Sequence, residues 1–183
     1  MTNKYEEIVE NLDGYPPSQG SPALPLPVSD EQLDKFEMEL GFPLPADYRE
    51  FLQDYSGYGF SNPVFPVVEN GRLTTETVFA FYDASPVMYQ ASIENYDPDS
   101  DTVSLYLGLA LVRSMMGVKE IGWPPELLPI ACDMGGNQIC LALSGLRPGA
   151  IFFWVNAPGE GSDNIYLVAN SFDEFIHLLR PST

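Results

Sequence analysis

The amino-acid sequence predicts an α+β fold. Apolar residues recur at helical spacing before Gly57, whereas the last third alternates short β-rich runs with glycine-containing turns. A helix-start pattern returns near the end, at Ser171-Phe172-Asp173-Glu174. Helices and antiparallel strands that occupy separate parts of one chain are typical of the α+β class.

The N-terminal part begins with a short amphipathic helix. Apolar side chains between Tyr5 and Leu12 follow helical spacing, and Gly14 is placed to end the helix. The stretch from Tyr15 to Val28 is rich in Pro, Ser and Gly, which indicates an extended connector.

Two further helices are predicted after this connector. Ser29 and Gln32 form a capping box for the first, and Gly41 is placed to end it. Pro45 is suited to begin the second helix, which Gly57 closes. The two helices form a hairpin or corner.

In the middle of the chain the spacing of apolar residues changes from helical to strand-like. Val64 to Val68 is β-rich, Asn70-Gly71 is a strong hairpin turn, and Leu73 to Tyr82 continues as a strand. Ser85-Pro86 opens another helix, through Asn95. The stretch from Thr102 to Met116 is ambiguous between a buried helix and a strand, and its length favours a helix.

The last third contains four predicted antiparallel strands and a final helix. The helix starts at the capping box of Ser171 and turns Phe172, Phe175, Ile176 and Leu179 inward. The strands are Leu127–Cys132, Gln138–Leu143, Ala150–Val155 and Asn164–Val168. No repeat or second domain is evident. We therefore expect residues 1–183 to form a single domain, with 1–28 as helix plus connector and 29–183 as the core.

The composition excludes several partner classes. The 183 residues include 26 Asp and Glu but 8 Lys and Arg, for a formal net charge of −18. Phosphate backbones and anionic membranes are repelled by such a surface, so neither nucleic acid nor membrane is an expected partner. A basic protein would be steered towards it. The alternative is that the acidity only keeps the protein soluble, and the charge alone does not choose between them.

The chain is expected in the cytoplasm. Two cysteines are too few for a disulfide-stapled scaffold, and the first residues lack the basic and apolar pattern of a signal peptide. No apolar run reaches the length that spans a bilayer.

The search for catalytic chemistry finds no catalytic residue and no cofactor motif, so we expect a protein that is not an enzyme. The single histidine, His177, lies between apolar positions of the last helix and should face solvent. Cys132 and Cys140 are interpreted as core residues of strands, with a functional thiol pair as the less favoured alternative. An enzyme would need paired carboxylates in a pocket that the linear sequence hides.

Two acidic loops are candidates for partner binding. Asp97, Asp99 and Asp101 begin like a calcium loop, but the glycine and glutamate that such a loop demands are missing, so no metal site is expected. Glu160 and Asp163 lie in a later glycine-rich loop that is too negative to hold phosphate. If an acidic binding face exists, these five residues are its candidates; the alternative for each is a solvated loop charge.

The two tryptophans receive different interpretations. Trp154 follows three apolar residues of a predicted strand and is interpreted as structural. Trp123 precedes two prolines in a predicted loop, where it is a possible exposed anchor.

Three stretches in order resemble the SUKH superfamily. They are Ser29 to Tyr55 with its Leu-Gly-Phe-Pro-Leu-Pro-Ala-Asp-Tyr centre, Leu127 to Leu141 with Asp133 and Gly135-Gly136-Asn137, and Phe153 to Phe175 with Asn170-Ser171-Phe172-Asp173-Glu174. The superfamily groups fungal cell-wall-synthesis regulators, the bacterial Syd protein and many bacterial immunity proteins. The recurring residues are those that specify turns and helix ends, so the partner-specific surface is expected elsewhere.

The resemblance implies a curved, mostly antiparallel sheet flanked by helices. It also implies a protein-binding role, in the first place as an immunity protein that neutralises a cognate toxin, often a nuclease with a basic groove. The alternative is a regulatory adaptor that binds endogenous signalling or cell-envelope proteins. Neither the partner's identity nor the oligomeric state follows from the sequence.

Overall fold

The computed structural model describes residues 3–16, 27–82, 84, 126–145, 147–155 and 164–182. Within these ranges the chain forms four helices and two antiparallel sheets, of two and five strands. The helices are α1 (Glu6–Asn11), α2 (Asp30–Leu40), α3 (Ala46–Tyr55) and α4 (Phe172–Leu178). The strands are β1 (Val64–Glu69), β2 (Arg72–Thr77), β3 (Ala80–Phe81), β4 (Leu127–Cys132), β5 (Gln138–Ala142), β6 (Ile151–Trp154) and β7 (Ile165–Ala169). The α+β class is confirmed.

Local sequence signals set both ends of α2. Ser29 Oγ accepts a hydrogen bond from the Gln32 N–H at 3.3 Å, and Gln32 Oε1 accepts one from the Ser29 N–H at 2.8 Å. The capping box is therefore complete. Gly41 ends the helix at φ +75°, a conformation that glycine adopts without a Cβ penalty. Pro45 is the N-cap of α3, so this helix begins one residue later than predicted.

The β1–β2 hairpin turns at Asn70-Gly71, both at positive φ, as predicted. The predicted strand from Leu73 to Tyr82 is wrong in its second half, because β2 ends at Thr77 and β3 belongs to the other sheet. The Val78 N–H still donates to Pro63, whereas the Phe79 N–H donates to the Cys132 carbonyl at 2.8 Å. The bend buries both Val78 and Phe81 completely, which a straight strand would not do.

The larger sheet has the strand order β3-β4-β5-β6-β7, with every neighbouring pair antiparallel. The four strands predicted in the last third are thereby confirmed. The register shifts between Pro129 and Ala131 and between Ile151 and Phe152. Such irregularities bend a strand and increase its twist.

The two faces of this sheet differ. Alternate residues such as Ile139, Leu141 and Phe153 face the main core, which also receives the apolar sides of the helices. On the opposite face, Cys140 and Trp154 belong to a smaller apolar cluster with Leu127 and Ala142. Trp154 is partly buried there, which agrees with a structural role.

Aromatic rings occupy the centre of the main core. Phe51 of α3 lies 4.9 Å from Phe172 and 5.0 Å from Phe81, measured between ring centroids. It also contacts Tyr5 at 5.7 Å and Tyr55 at 5.4 Å. Four segments of the chain, including the short α1 region, therefore meet at one ring.

The start of α4 is capped by residues from two parts of the chain. Ser171 Oγ accepts from the Glu174 N–H at 3.0 Å, as the predicted capping box requires. Glu174 Oε2, however, accepts from the Asn170 N–H at 2.7 Å, one residue before the cap. The Asp173 N–H donates to the Asp47 carboxylate of α3 at 2.9 Å. The first turn of α4 is thus satisfied in part by a distant helix.

Several predicted elements lie outside the described residues. They are the middle of the proline-rich connector, the helix from Ser85-Pro86 to Asn95, the Thr102–Met116 segment and Trp123.

We predict that Phe51→Ala lowers the free energy of unfolding by about 3–5 kcal/mol, because it empties the position on which four rings pack. Urea denaturation followed by circular dichroism measures this loss. The control is Met38→Ala, at a side chain that is 82% exposed, which should change stability by less than about 0.5 kcal/mol. A similar small loss for both variants would contradict the central role of Phe51.

Candidate acidic binding face

The five loop residues proposed from sequence lie outside the described residues. Asp97, Asp99 and Asp101 belong to one undescribed stretch, and Glu160 and Asp163 belong to another. Their assignment to a partner-binding face stays a prediction.

A second group of acidic residues lies in the helical part of the fold. Residues 3–16 and 27–55 contain twelve acidic residues and three basic ones. The basic residues are Lys4, Lys35 and Arg49. The acidic residues are Glu6, Glu7, Glu10, Asp13, Asp30, Glu31, Asp34, Glu37, Glu39, Asp47, Glu50 and Asp54.

Arg49 of α3 collects three carboxylates from α2. Its guanidinium donates to Asp30 Oδ1 at 3.0 Å, Asp34 Oδ1 at 2.8 Å and Glu37 Oε2 at 3.0 Å. Burial alone would lower the pKa of Arg49, but the hydrogen bonds to Asp30 and Asp34 outweigh it and raise that pKa. Glu37 also accepts from the Leu44 N–H at 2.8 Å, which ties the α2–α3 loop to the same group. One cation therefore joins α2 to α3 and leaves the cluster net negative.

Lys4 joins α3 to α4 in the same way. Its ammonium lies 3.2 Å from Glu50 Oε2 and 3.1 Å from Asp173 Oδ1. The hydrogen bond from Lys4 holds the pKa of Asp173 below its ordinary value. Burial alone would lower the pKa of Lys4, but its contacts with Tyr5, Asp173 and Glu50 raise it.

Carboxylates from α1 and α3 gather around Tyr55. Burial, followed by the negative charges of Asp54 and Glu6 and a weaker effect of Glu10, raises the pKa of Tyr55 to about 12. Asn3 Nδ2 also donates to Asp54 at 2.6 Å, which connects the start of α1 to α3. The acids of α1 are therefore close to those of α3.

These contacts define two groups of carboxylates, one around Arg49 and one around Lys4 and Tyr55, which are joined through α3 and which we together call the acidic face. It carries exposed or partly exposed carboxylates that outnumber their cations, and a basic protein surface is its natural complement. It consists of Glu6, Glu10, Asp30, Asp34, Glu37, Glu50 and Asp54.

The remaining candidates from sequence fall where they were expected. The side chain of His177 is 57% exposed, and its Nδ1 lies 2.7 Å from the Asp173 carbonyl oxygen. Cys132 and Cys140 are free thiols on neighbouring strands, and burial raises the pKa of both. In the register of β4 and β5, Cys140 lies opposite Pro129 and Cys132 opposite Gln138, so the two thiols do not face each other.

A groove of about 470 Å³ lies on the sheet face opposite the main core. Its lining is largely apolar, with Phe152, Ile165 and Leu167 along it and Glu126 and Arg147 beside it. Among the described residues, no group of three His, Cys, Asp or Glu side chains is placed to hold a metal ion.

The comparison with known proteins identifies the family. A sequence model described as the SMI1 / KNR4 family (SUKH-1) matches residues 27–177. The chain belongs to the SMI1 / KNR4 family. It is also 29% identical over 157 residues to the SPbeta prophage-derived uncharacterized protein YokK of Bacillus subtilis (strain 168), an alignment that covers 82% of this chain and 74% of that protein.

Family membership confirms the resemblance found in the sequence and agrees with the observed α+β fold. The matched region begins at Pro27, just before α2, and ends within α4. The α1 helix, whose Tyr5 and Val9 are buried in the main core, precedes that region. Within the described residues no helix has the length and apolar character needed to cross a membrane.

Sequence reasoning missed the acidic face. It placed the candidate acids in loops and not in the helices. The sequence did contain an indication of this face, because the helical segments have twelve acidic residues and only three basic ones. The spatial grouping depends on Arg49 and Lys4, whose contacts join residues far apart in the chain.

We predict that Lys4→Met raises the pKa of Asp173 towards the ordinary Asp value of about 3.9. Because the folded-state pKa of Asp173 is depressed, its ion pair with Lys4 stabilises the fold at pH values above the ordinary pKa of Asp. The contribution is lost as the pH falls through the folded-state pKa. Both side chains are more than 40% exposed, so the loss at pH 7 should stay below about 1 kcal/mol.

Urea denaturation of the parent chain and of Lys4→Met between about pH 7 and pH 2 checks this dependence of stability on pH. Lys35→Met is the matched control, because Lys35 is exposed and has no ion pair among the described residues. A stability difference for Lys4→Met that persists unchanged to the lowest pH would contradict the assignment.

Proposed function

We propose that this chain is an immunity-type protein that binds and neutralises a cognate toxin in the cytoplasm, acting as a single non-catalytic domain. Membership of the SMI1 / KNR4 family carries the proposal, because many bacterial members of the superfamily that the sequence resembles have this role. The acidic character of the chain supports a basic toxin, such as a nuclease whose substrate-binding groove is positive.

The acidic face supports this proposal through its charge. Its carboxylates exceed the neighbouring cations even where Arg49 and Lys4 form ion pairs. A basic partner approaching this surface is attracted at long range and associates faster than a neutral one. An acidic surface that covers a positive groove would also exclude the nucleic-acid substrate, since both compete for the same cations.

Two surfaces of the chain compete for the role of toxin-binding site. One is the acidic face, and the other comprises Asp97, Asp99, Asp101, Glu160 and Asp163, which the sequence predicts to lie in loops. We favour the acidic face, because its carboxylates lie on helices and Asp30, Asp34, Glu37 and Glu50 are held by ion pairs, and a site on rigid elements is more precise than one on loops.

Deletion of the gene tests the role in cells. Cells that lack it should become sensitive to a toxin encoded beside it, and expression of the chain in trans should restore survival. With purified components, inhibition of the toxin should saturate at a fixed stoichiometry. Normal survival of the deletion strain in the presence of that toxin would overturn the proposal. Capture of endogenous, non-toxic proteins only would favour the adaptor alternative.

We predict that reversing charge on the acidic face slows toxin association. The variant Glu6→Lys/Glu10→Lys should reduce the association rate constant about tenfold at low salt and weaken its dependence on ionic strength, because steering depends on the summed field. Stopped-flow fluorescence or surface plasmon resonance at several salt concentrations measures both quantities. Both residues are exposed, so the melting temperature serves as the folding control.

The matched comparison is Asp97→Lys/Asp99→Lys, which changes the net charge by the same amount in the loop. A larger effect of this loop variant would move the binding site to the loop. Equal small effects from both variants would leave the acidity without a role in recognition.

A further inference from the structure

Among the described residues, the edge of β2 that faces away from β1 is unpaired. The Val78 N–H donates to Pro63 and so points across the hairpin, whereas the Val64 N–H and carbonyl both bond to Arg180 on the outer side of β1. Backbone groups alternate between the two edges of a strand. The N–H and carbonyl groups of Leu73, Thr75 and Thr77 therefore point away from β1, to the far edge of β2.

Among the described residues, no helix, strand or bulge protects this far edge. In the described part of the chain, β1 is the sole strand paired with β2. The strand contains neither Pro nor Lys, and its register with β1 has no bulge. Proline, lysine and bulges are three of the features by which natural edge strands avoid pairing with another strand; charged side chains are a further one, and β2 carries two.

The outward face of the hairpin is uncharged, which is unusual on a chain of net charge −18. Val68 and Leu73 are cross-strand neighbours on this face and are 56% and 69% exposed. The other residues on the face are Val64, Pro66, Thr75 and Thr77. Another strand is therefore not repelled at close range by this part of the surface.

The two charges of β2 lie on its other face and have no ion-pair partner among the described residues. Arg72 is exposed, and Glu76 is partly buried. Burial, together with the neighbouring Glu69 and Asp133, raises the pKa of Glu76. Glu76 therefore lies among carboxylates, at a strand edge, without a compensating cation in the described structure.

We propose that β2 pairs with β2 of a second copy of this chain, antiparallel and edge to edge, to form a continuous four-stranded sheet. In the register that places Thr74 opposite Thr74 of the second copy, Leu73 lies opposite Thr75. These are the residues whose backbone groups point to the open edge. The same register places Arg72 opposite Glu76 of the second copy, and Glu76 opposite Arg72.

Self-complementarity selects a second copy as the occupant. A two-fold axis through Thr74 satisfies the backbone edge and both unpaired charges at once, since each Arg72 meets a Glu76. Shifting the register by two residues preserves the backbone bonds but loses both charge pairs. The net negative charge of each copy opposes association at long range. At about 0.15 M salt the Debye length is about 8 Å, and most of this repulsion is screened.

Analytical ultracentrifugation of the full chain at about 0.15 M salt tests the proposal with reversed charges. Arg72→Glu and Glu76→Arg should each weaken dimerisation by at least about tenfold, because two attractive pairs become repulsive. The double variant should restore it. An equimolar mixture of the two single variants should also form dimers, because every facing pair is then opposite in charge.

Backbone blocking provides a second, independent test. Thr75→Pro removes an N–H that points to the open edge, and not one that bonds to β1, so it should abolish dimers without unfolding the hairpin. Thr75→Val retains that N–H and should dimerise like the parent chain. Circular dichroism of each variant checks folding.

A chain that is monomeric at all concentrations would overturn the proposal. So would dimers that survive Thr75→Pro, or a mixture of charge variants that fails to associate. None of these three results bears on toxin neutralisation, which is assayed separately.

Discussion

The packing of Phe51 against Phe172 holds the helical layer to the rest of the molecule. Their ring centroids are 4.9 Å apart, although the residues are separated by most of the chain. Tyr5 closes over both rings from the α1 side, and Phe81 reaches them from β3. Because the segments around them are short, each relies on this shared burial and not on its own propensity.

The same helical layer carries many acidic residues, whose mutual repulsion lowers its stability. The acids of α1, α2 and α3 repel one another, and Arg49 and Lys4 offset only part of that repulsion. Buried aromatic area must compensate for the remainder. Like charges that are nevertheless kept close together are understandable if they serve recognition, as the proposed binding role requires.

Sequence reasoning succeeded where structure is determined locally. The cap at Ser29, the reversal at Asn70-Gly71 and the apolar face of α4 each depend on residues within a few positions of one another. It failed where distant residues decide. The break after Thr77 exists because Phe79 bonds to Cys132, and the additional cap that Asp47 provides at the correctly predicted start of α4 comes from a distant helix. Periodicity contains no information about either contact.

The candidate site shows the same division. The total acidity was available from composition, and so was the expectation of a protein partner. Which carboxylates lie together was not available, because Arg49 and Lys4 select their partners through packing of α2, α3 and α4. The open edge of β2 also required the observed register, since a single shift would reverse the direction of every backbone group.

The bond from the Asp173 N–H to Asp47 has a consequence for synthesis on the ribosome. A helix whose first turn is capped from α3 cannot be completed until its own residues have emerged, and Asp173 follows Asp47 by 126 residues. Phe172, which fills the aromatic centre, emerges at the same late stage. The nascent chain therefore exposes Phe51 and its neighbours while the intervening residues are synthesised, and the core closes only after α4 has emerged.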